Sequence, residues 1–491
     1  MTPEQEQKVL SAIYDRLFQA ITYEPESGGT NPFKKKETLI QFTNNEALNP
    51  SSFDDAWTPG NVNADLGASE MFARMVDKVS GMGLAWQPKD QPLSQTYKSI
   101  VQGANEAEDA RPSEKAIAAY EKAQGYLEAT EKNPFTDEET PCESPAYKAY
   151  KKNLTALSKA YEDYVFEYNK FVDKVAKAEK DGDDDAKKEA QRAWNGNARP
   201  LQRTIESAQE NLTADNGKWV QMALDTMDTS INDATARVLK SAQAMVQTGQ
   251  IGTAGVEWFL TYANPTNWND KSAADNFSEL TISGGNATSN TSTTTHGYSF
   301  KGSYGLGLWK VGAESSGEFK QFHSDASTDS LSITANVGKI DIVRPWFNEL
   351  LFRSSNWYTN LRGDDDVEYI SDGTISDTNA DKILPMYPVA FIVARDIRIK
   401  ADFSQEEMDT ISRKIEAGAS VSYGPFTVGG KYSHGHEEEH MKSSFENGEL
   451  KVPGMQIIGW VNRVIPACPT RPKSAMDKPG AAGVEEAEAA E

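Results

Sequence analysis

Two cysteines in 491 residues, Cys142 and Cys468, cannot build a disulfide framework or a thiolate metal cage. They form no short-spaced redox motif, and both read as free thiols. No run of about 18 apolar residues occurs, so no segment is built to cross a bilayer as a helix. Histidine is scarce at five residues, which leaves few side chains that titrate near neutral pH. Positive charge is outnumbered: 50 Lys and Arg against 73 Asp and Glu give a formal net charge of −23. A field of that sign repels phosphate backbones and argues against nucleic acid as a partner. The first residues, Met1-Thr2-Pro3-Glu4-Gln5-Glu6, offer no basic segment leading into an apolar one. The expected location is therefore cytoplasmic, or secreted by a signal-independent route.

What is present divides into two halves. Over 145–180, Tyr147, Tyr150, Leu154, Leu157, Tyr161, Tyr164, Tyr168, Phe171, Val175 and Ala178 follow an unbroken 3-4 spacing. That period keeps one stripe of a helix against a partner helix, as in a coiled coil. At about 1.5 Å per residue the helix is roughly 54 Å long. Val220, Ala223, Met227, Ile231, Ala234 and Val238 keep similar spacing to about 248, and Leu201, Ile205, Ala208 and Leu212 predict a shorter helix that starts at Pro200. After Gly252, Ser, Thr, Gly, Val and aromatics replace Ala, Lys and Glu, and alternation by two replaces the helical period. Leu331 to Val343 alternates; Val389 to Ala394 and Met455 to Val461 are nearly continuous apolar runs, the pattern of strands buried on both faces. Ser404-Gln-Glu-Glu407 predicts a capping box on one short helix. The expected class is α+β: an elongated antiparallel helical bundle, coiled-coil-like, followed by a β-sandwich-like domain. Residues 1–110 read as a helical and irregular cap with 23–64 irregular, 111–250 as the bundle, 251–467 as the sandwich with its own core, and 468–491 as a disordered acidic tail.

One stretch invites a catalytic reading. His436-Glu437-Glu438-Glu439-His440 matches the zinc-peptidase pattern H-E-x-x-H, with His434 nearby. That chemistry needs a helix, because only the i, i+4 spacing on one face brings both imidazoles to one ion. Here Gly429, Gly430 and Gly435 lead in and no apolar periodicity flanks the motif. An internal echo points the same way. Ser303-Tyr304-Gly305 and Val311-Gly312 recur as Ser422-Tyr423-Gly424 and Val428-Gly429, so the histidines occupy what the first copy uses as a polar strand exit. A zinc peptidase is the remote alternative. No cofactor is expected, and an adventitious zinc ion on His434, His436 and His440, or calcium in the acidic loop from Asp364 to Asp381, is the most metal chemistry on offer.

Arg344-Pro345-Trp346-Phe347, Leu384-Pro385-Met386-Tyr387-Pro388 with Phe391 to Asp396, and Gly454 to Trp460 together resemble a β module of uncharacterised microbial proteins. The resemblance spans about residues 338–467, implies an independent β domain, and carries no activity. The leading functional expectation is a non-enzymatic binding and assembly protein. Its helical arms would serve oligomerisation, and its β domain would recognise a partner, through self-association or another protein. The alternative is a pore-forming or membrane-perturbing toxin. Tyr298, Phe300, Tyr304, Leu306 and Leu308 alternate onto one face, and with Trp309 they would enter a membrane as an amphipathic hairpin paired to 311–319.

Overall fold

The apolar runs and alternating stretches predicted from sequence become two antiparallel sheets, while the helical periods become helices, so the chain is α+β. The computed structural model describes residues 13, 17, 37–58, 61, 64–83, 85–107, 113–132, 135, 137–232, 234–251, 257–273, 276–283, 309–312, 319–321, 331–361, 367–433 and 440–471. The helices are α1 (Leu66–Val76), α2 (Leu93–Gly103), α3 (Glu114–Leu127), α4 (Pro145–Asp181), α5 (Asp184–Thr213), α6 (Gly217–Ser230), α7 (Thr235–Gly249) and α8 (Gln405–Glu416). The strands of the two larger sheets are β1 (Thr38–Leu48), β2 (Tyr262–Asn264), β3 (Ser278–Ser283), β4 (Trp309–Gly312), β5 (Phe319–Gln321), β6 (Ser332–Val343), β7 (Met386–Lys400), β8 (Ser420–Tyr423), β9 (Phe426–Lys431), β10 (His440–Lys442), β11 (Ser444–Glu446) and β12 (Glu449–Val464).

The seven-stranded main sheet runs β1-β12-β7-β6-β2, with β11 also on β12 and β3 also on β6. The five-stranded sheet runs β5-β4-β8-β9-β10. The two apolar runs lie side by side at the centre of the main sheet, where Phe391 faces Trp460 and Ala390 faces Val461. Their burial on both faces has two separate causes. Ile392 and Ile458 join Val421, Phe426 and Val428 of the second sheet and Ile411 and Ile415 of α8 in one apolar cluster. On the opposite side Phe391, Val393, Ile457 and Trp460 pack with Phe72, Met75 and Val76 of α1. The predicted capping box is present, with Ser404 and Glu407 exchanging both bonds at the start of α8.

Three local expectations change. Residues 38–48, expected to be irregular, form an edge strand: Leu39, Ile40 and Phe42 pair with Asn462, Val461 and Gly459. A bulge between Phe42 and Glu46 absorbs Asn44 and Asn45, so the polar residues interrupt the pattern without ending the strand. Helix α5 starts at Asp184 and runs through Pro200. The residue whose carbonyl a proline ring at 200 would crowd is Gly196, and both are solvent-exposed, so the unpaired carbonyl is not shut away in the apolar interior. The stripe over 218–248 is two helices, parted at Ile231–Ala234.

Much of the helical half shares its core with segments beyond residue 251. Tyr97 and Ile100 of α2, Tyr120 of α3, Val220 and Met227 of α6 and Val238 and Ala242 of α7 share one cluster with Trp346, Phe352, Trp357, Leu384, Tyr387 and Ile465. Trp346 donates from Nε1 to Thr261 Oγ1 at 3.1 Å. Its close approach also fixes Gly249, where a Cβ would lie 2.4 Å from the Trp346 Cβ. Among the described residues, no helix is long and apolar enough to cross a membrane.

The exposed edge of β1 is covered by the segment around 80–88. Trp86 N–H donates to Phe42 O at 2.8 Å, and Gln41 Nε2 donates to the carbonyls of Gly81 and Gly83, each at 2.8 Å. Trp86 stacks on Trp460 at 4.7 Å, and Trp460 Nε1 donates to Glu46 Oε2 at 3.1 Å. Burial pushes the Glu46 carboxyl up from 4.5 to about 7, against the partial pull of the Trp460, Thr43 and Trp86 donors and of Lys78. A folded value above the unfolded one favours the protonated form. The resulting stability is complete below 4.5 and is lost as pH rises through about 7. We predict that urea unfolding loses about 2 kcal/mol across that window, a figure reduced for the partial exposure of Glu46. Glu46→Gln should flatten this slope; an unchanged slope in the variant would remove Glu46 as its source.

Candidate interaction surface on the helical hairpin

Helices α4 and α5 form an antiparallel hairpin because the 3-4 stripe of one needs an apolar partner and the turn between them is short. Gly182 takes a φ of +66°, and the Asp183 carboxylate accepts from the amides of Asp185 at 3.1 Å and Ala186 at 2.9 Å, capping α5. Near the base, Leu157 and Ala160 pack on Ala208 and Leu212, with Tyr150, Leu154 and Ile205 alongside. Further out, Trp194 of α5 is held by three rings of α4: Tyr164 at 5.5 Å, Tyr168 at 5.3 Å and Phe171, stacked at 5.5 Å. The expected seam is thus aromatic at Tyr164 and Tyr168; the Tyr161 side chain lies outside the described residues.

The inner part of α4 is docked on the main sheet. Phe166 enters the cluster of Leu280 and Ile282 on β3. Lys159 Nζ donates to Ser278 Oγ at 3.0 Å and pairs with Asp163 at 3.3 Å, and Ser278 in turn donates to Asp163. Lys159 is therefore a tie between helix and sheet, not the freely solvated residue that its place outside the stripe suggests. Lys170 bridges Glu167 at 2.9 Å and Glu279 at 3.4 Å. Burial lowers its pKa, but the two carboxylates outweigh that and leave the ammonium held above its ordinary value.

Two features of this region face outward. A groove of about 410 Å³ runs between the helices, lined by Asn153 and Ala156 on one side and Arg203, Thr204, Ser207 and Asn211 on the other. Large apolar side chains also stand in water: Tyr168 is 45% exposed, Trp219 48% and Met222 57%. Trp219 and Met222 lie one turn apart on α6, and the Lys218 ammonium sits 4.7 Å from the Trp219 ring. Such residues in solvent carry the composition of protein interfaces. The periodic reading of α6 found its buried stripe and passed over these two, because they fall between the stripe positions. Trp194 was missed for a similar reason, as its partners come only from the fold.

The residues singled out in the sequence for membrane and metal chemistry are placed as follows. Tyr298, Phe300, Tyr304, Leu306 and Leu308 lie outside the described residues. Trp309 opens β4, is 1% exposed, and packs against Tyr423 at 4.7 Å and Phe403 at 6.0 Å. Both edges of β4 are occupied, since Val311 faces Lys320 of β5 and Val421 of β8. His434 and His436 lie outside the described residues. His440 is the first residue of β10, opposite Lys431 of β9, an extended ladder rather than the helical turn that H-E-x-x-H requires. Among the described residues, no group of three His, Cys, Asp or Glu side chains is placed to hold a metal ion. Residues 362–366 of the acidic loop are outside the description. Asp372 within it accepts from Thr374 N at 2.9 Å, Thr374 Oγ1 at 2.7 Å and Thr378 Oγ1 at 2.6 Å. Cys142 is half-buried and Cys468 buried, both as free thiols.

Removing Trp194 opens the outer seam. We predict that Trp194→Ala destabilises the hairpin by about 2 to 3 kcal/mol. Hydrogen exchange should quicken over 160–200 while β7 and β12 keep their protection. Lys159→Ala should cost about 1 kcal/mol by loosening α4 from β3; a zero effect would show that its contacts with Ser278 and Asp163 are only those of a surface pair.

No protein family matches the chain, and neither the curated proteins nor the solved structures contain a detectably similar one, so the functional reading rests on this molecule's own geometry.

Proposed function

We propose that the protein is a non-enzymatic binding and assembly protein. In this reading the α4/α5 hairpin is a coiled-coil-like arm of an elongated bundle, and a second copy of the chain is the arm's partner. The two sheets, which share one apolar cluster with α8, act as a β-sandwich that presents the surface for a further protein. The observation that carries the proposal is a set of exposed large apolar side chains in the helical region, Trp219 and Met222 one turn apart on α6 and Tyr168 on α4. Leaving a Trp and a Met half in water forfeits apolar burial worth about 25 cal/mol per Å², which a second protein surface would recover.

Charge decides where copies can meet. At −23 two chains repel overall. Exposed α5 residues, by contrast, carry both signs: Lys187, Lys188, Arg192, Arg199 and Arg203 alternate with Asp185, Glu189, Glu206 and Glu210. A contact along the hairpin therefore avoids the worst of the repulsion, and added salt screens the remainder.

The test is the double substitution Trp219→Ser with Met222→Ser. Sedimentation should show the assembled species dissociating at least about tenfold more readily, with circular dichroism unchanged because neither side chain is buried. An assembly of unchanged strength would take α6 out of the contact and overturn the proposal as stated.

A further inference from the structure

A second concavity lies on the α1 side of the main sheet, lined by Phe72 of α1 and Ala263 of β2. It encloses about 180 Å³, roughly the volume of six water molecules at ~30 Å³ each, which is the scale of a single sugar ring. The floor is aromatic. Phe53, Trp57, Phe72 and Trp268 line it and are all buried, with Trp268 braced by Phe53 at 5.3 Å and Phe391 at 5.2 Å. That bracing fixes the rings without a ligand, so little ordering cost remains for binding.

The rim is polar, and its hydrogen-bonding capacity is only partly used. Both Nδ2 hydrogens of Asn269 are engaged, to Pro50 O at 3.1 Å and to Asp54 Oδ1 at 2.8 Å, which leaves its carbonyl oxygen as an acceptor. Asn267 Oδ1 receives Asn276 Nδ2 at 3.0 Å, which leaves the Asn267 amide hydrogens as donors. The Asp55 carboxylate and the Thr266 hydroxyl carry no partner among the described residues. Asp55 also holds a φ of +57°, a left-handed conformation that turns this residue into the rim at a local backbone cost. Among the described residues no lysine or arginine lines the cavity, so they offer an anion no counter-charge there.

We propose that this cavity binds a small neutral polyhydroxylated ring, a monosaccharide or the terminal sugar of a glycan. Each hydroxyl both donates and accepts, and so matches a rim that offers acceptors at Asp55 and Asn269 and donors at Asn267 and Thr266. This site is independent of the assembly reading; a sugar-binding chain can be monomeric, and an assembling chain can lack the sugar.

The test uses the full chain with glucose, galactose, mannose and N-acetylglucosamine as probes, read by saturation-transfer NMR and tryptophan fluorescence. At least one should bind with a dissociation constant in the millimolar range. Asn267→Ala and Asp55→Asn should each weaken it about tenfold with unchanged melting temperature. Both positions are exposed rim residues, and asparagine tolerates the left-handed backbone at 55. If none of the four sugars transfers saturation at concentrations up to about 10 mM, the proposal fails. It also fails if binding survives both substitutions, or if methylammonium binds at Asp55 while the sugars do not.

Discussion

Strand β12 is the member on which the rest of the structure depends. It is inserted between β1 and β7, pairing with residues 38–48 on one side and 386–400 on the other. Its register is written in buried polar side chains. Asn462 Nδ2 donates to Gln41 Oε1 at 3.0 Å, and Ser80 Oγ donates to Asn462 Oδ1 at 2.5 Å. Gln456 exchanges two bonds with the Thr427 backbone, at 2.6 Å and 3.0 Å, which pins the second sheet to the first. A slip of one residue would leave all of these unsatisfied in an apolar interior. Pairing across more than 400 positions also makes late, slow closure of the main sheet the physical expectation.

The same strand reaches the helical layer. Arg463, near its end, pairs with Glu349 at 2.5 Å, and Tyr387 of β7 donates to the same carboxylate at 2.9 Å. Burial works to raise the Glu349 pKa, but Arg463 and Arg353 outweigh it and hold the carboxyl at about 2. Glu349 caps the short turn Leu350–Arg353, whose Leu351 and Phe352 sit in the helical cluster with Trp346. Helices, sheet and the short segment between them therefore form one connected interior, and damage at this junction is expected to reach both. The outer part of the α4/α5 hairpin differs, since the described ring partners of Trp194 all lie on α4.

Legibility followed locality. Helix 145–181 was readable because its stripe is uninterrupted over ten positions, β7 because Val389 to Ala394 is an unbroken apolar run, and β12 because only Gln456 and Gly459 interrupt its run. The Ser404 capping box was readable because it spans three residues. Strand β1 was hidden by Asn44 and Asn45, which a bulge removes from the ladder only once β12 is present. Helix α5 runs through Pro200 on an exposed stretch, which composition alone does not reveal. The role of Lys159 depends on Ser278, more than a hundred residues away, and the cavity rim joins Asp55 to Asn267 and Asn269 across two hundred. Trp309 was singled out as a membrane residue because alternation marks a half-buried face without saying what covers it; Tyr423 and Phe403 supply the cover.

The central claim is that the arm-bearing chain assembles with copies of itself. Multi-angle light scattering of the full chain over a concentration series, at low and at high salt, tests it most directly. The account predicts a mass that rises above the 54.0 kDa of one chain with concentration, and rises sooner at high salt, where the net negative charge is screened. A mass that stays at one chain at the highest concentration in both salts would contradict it.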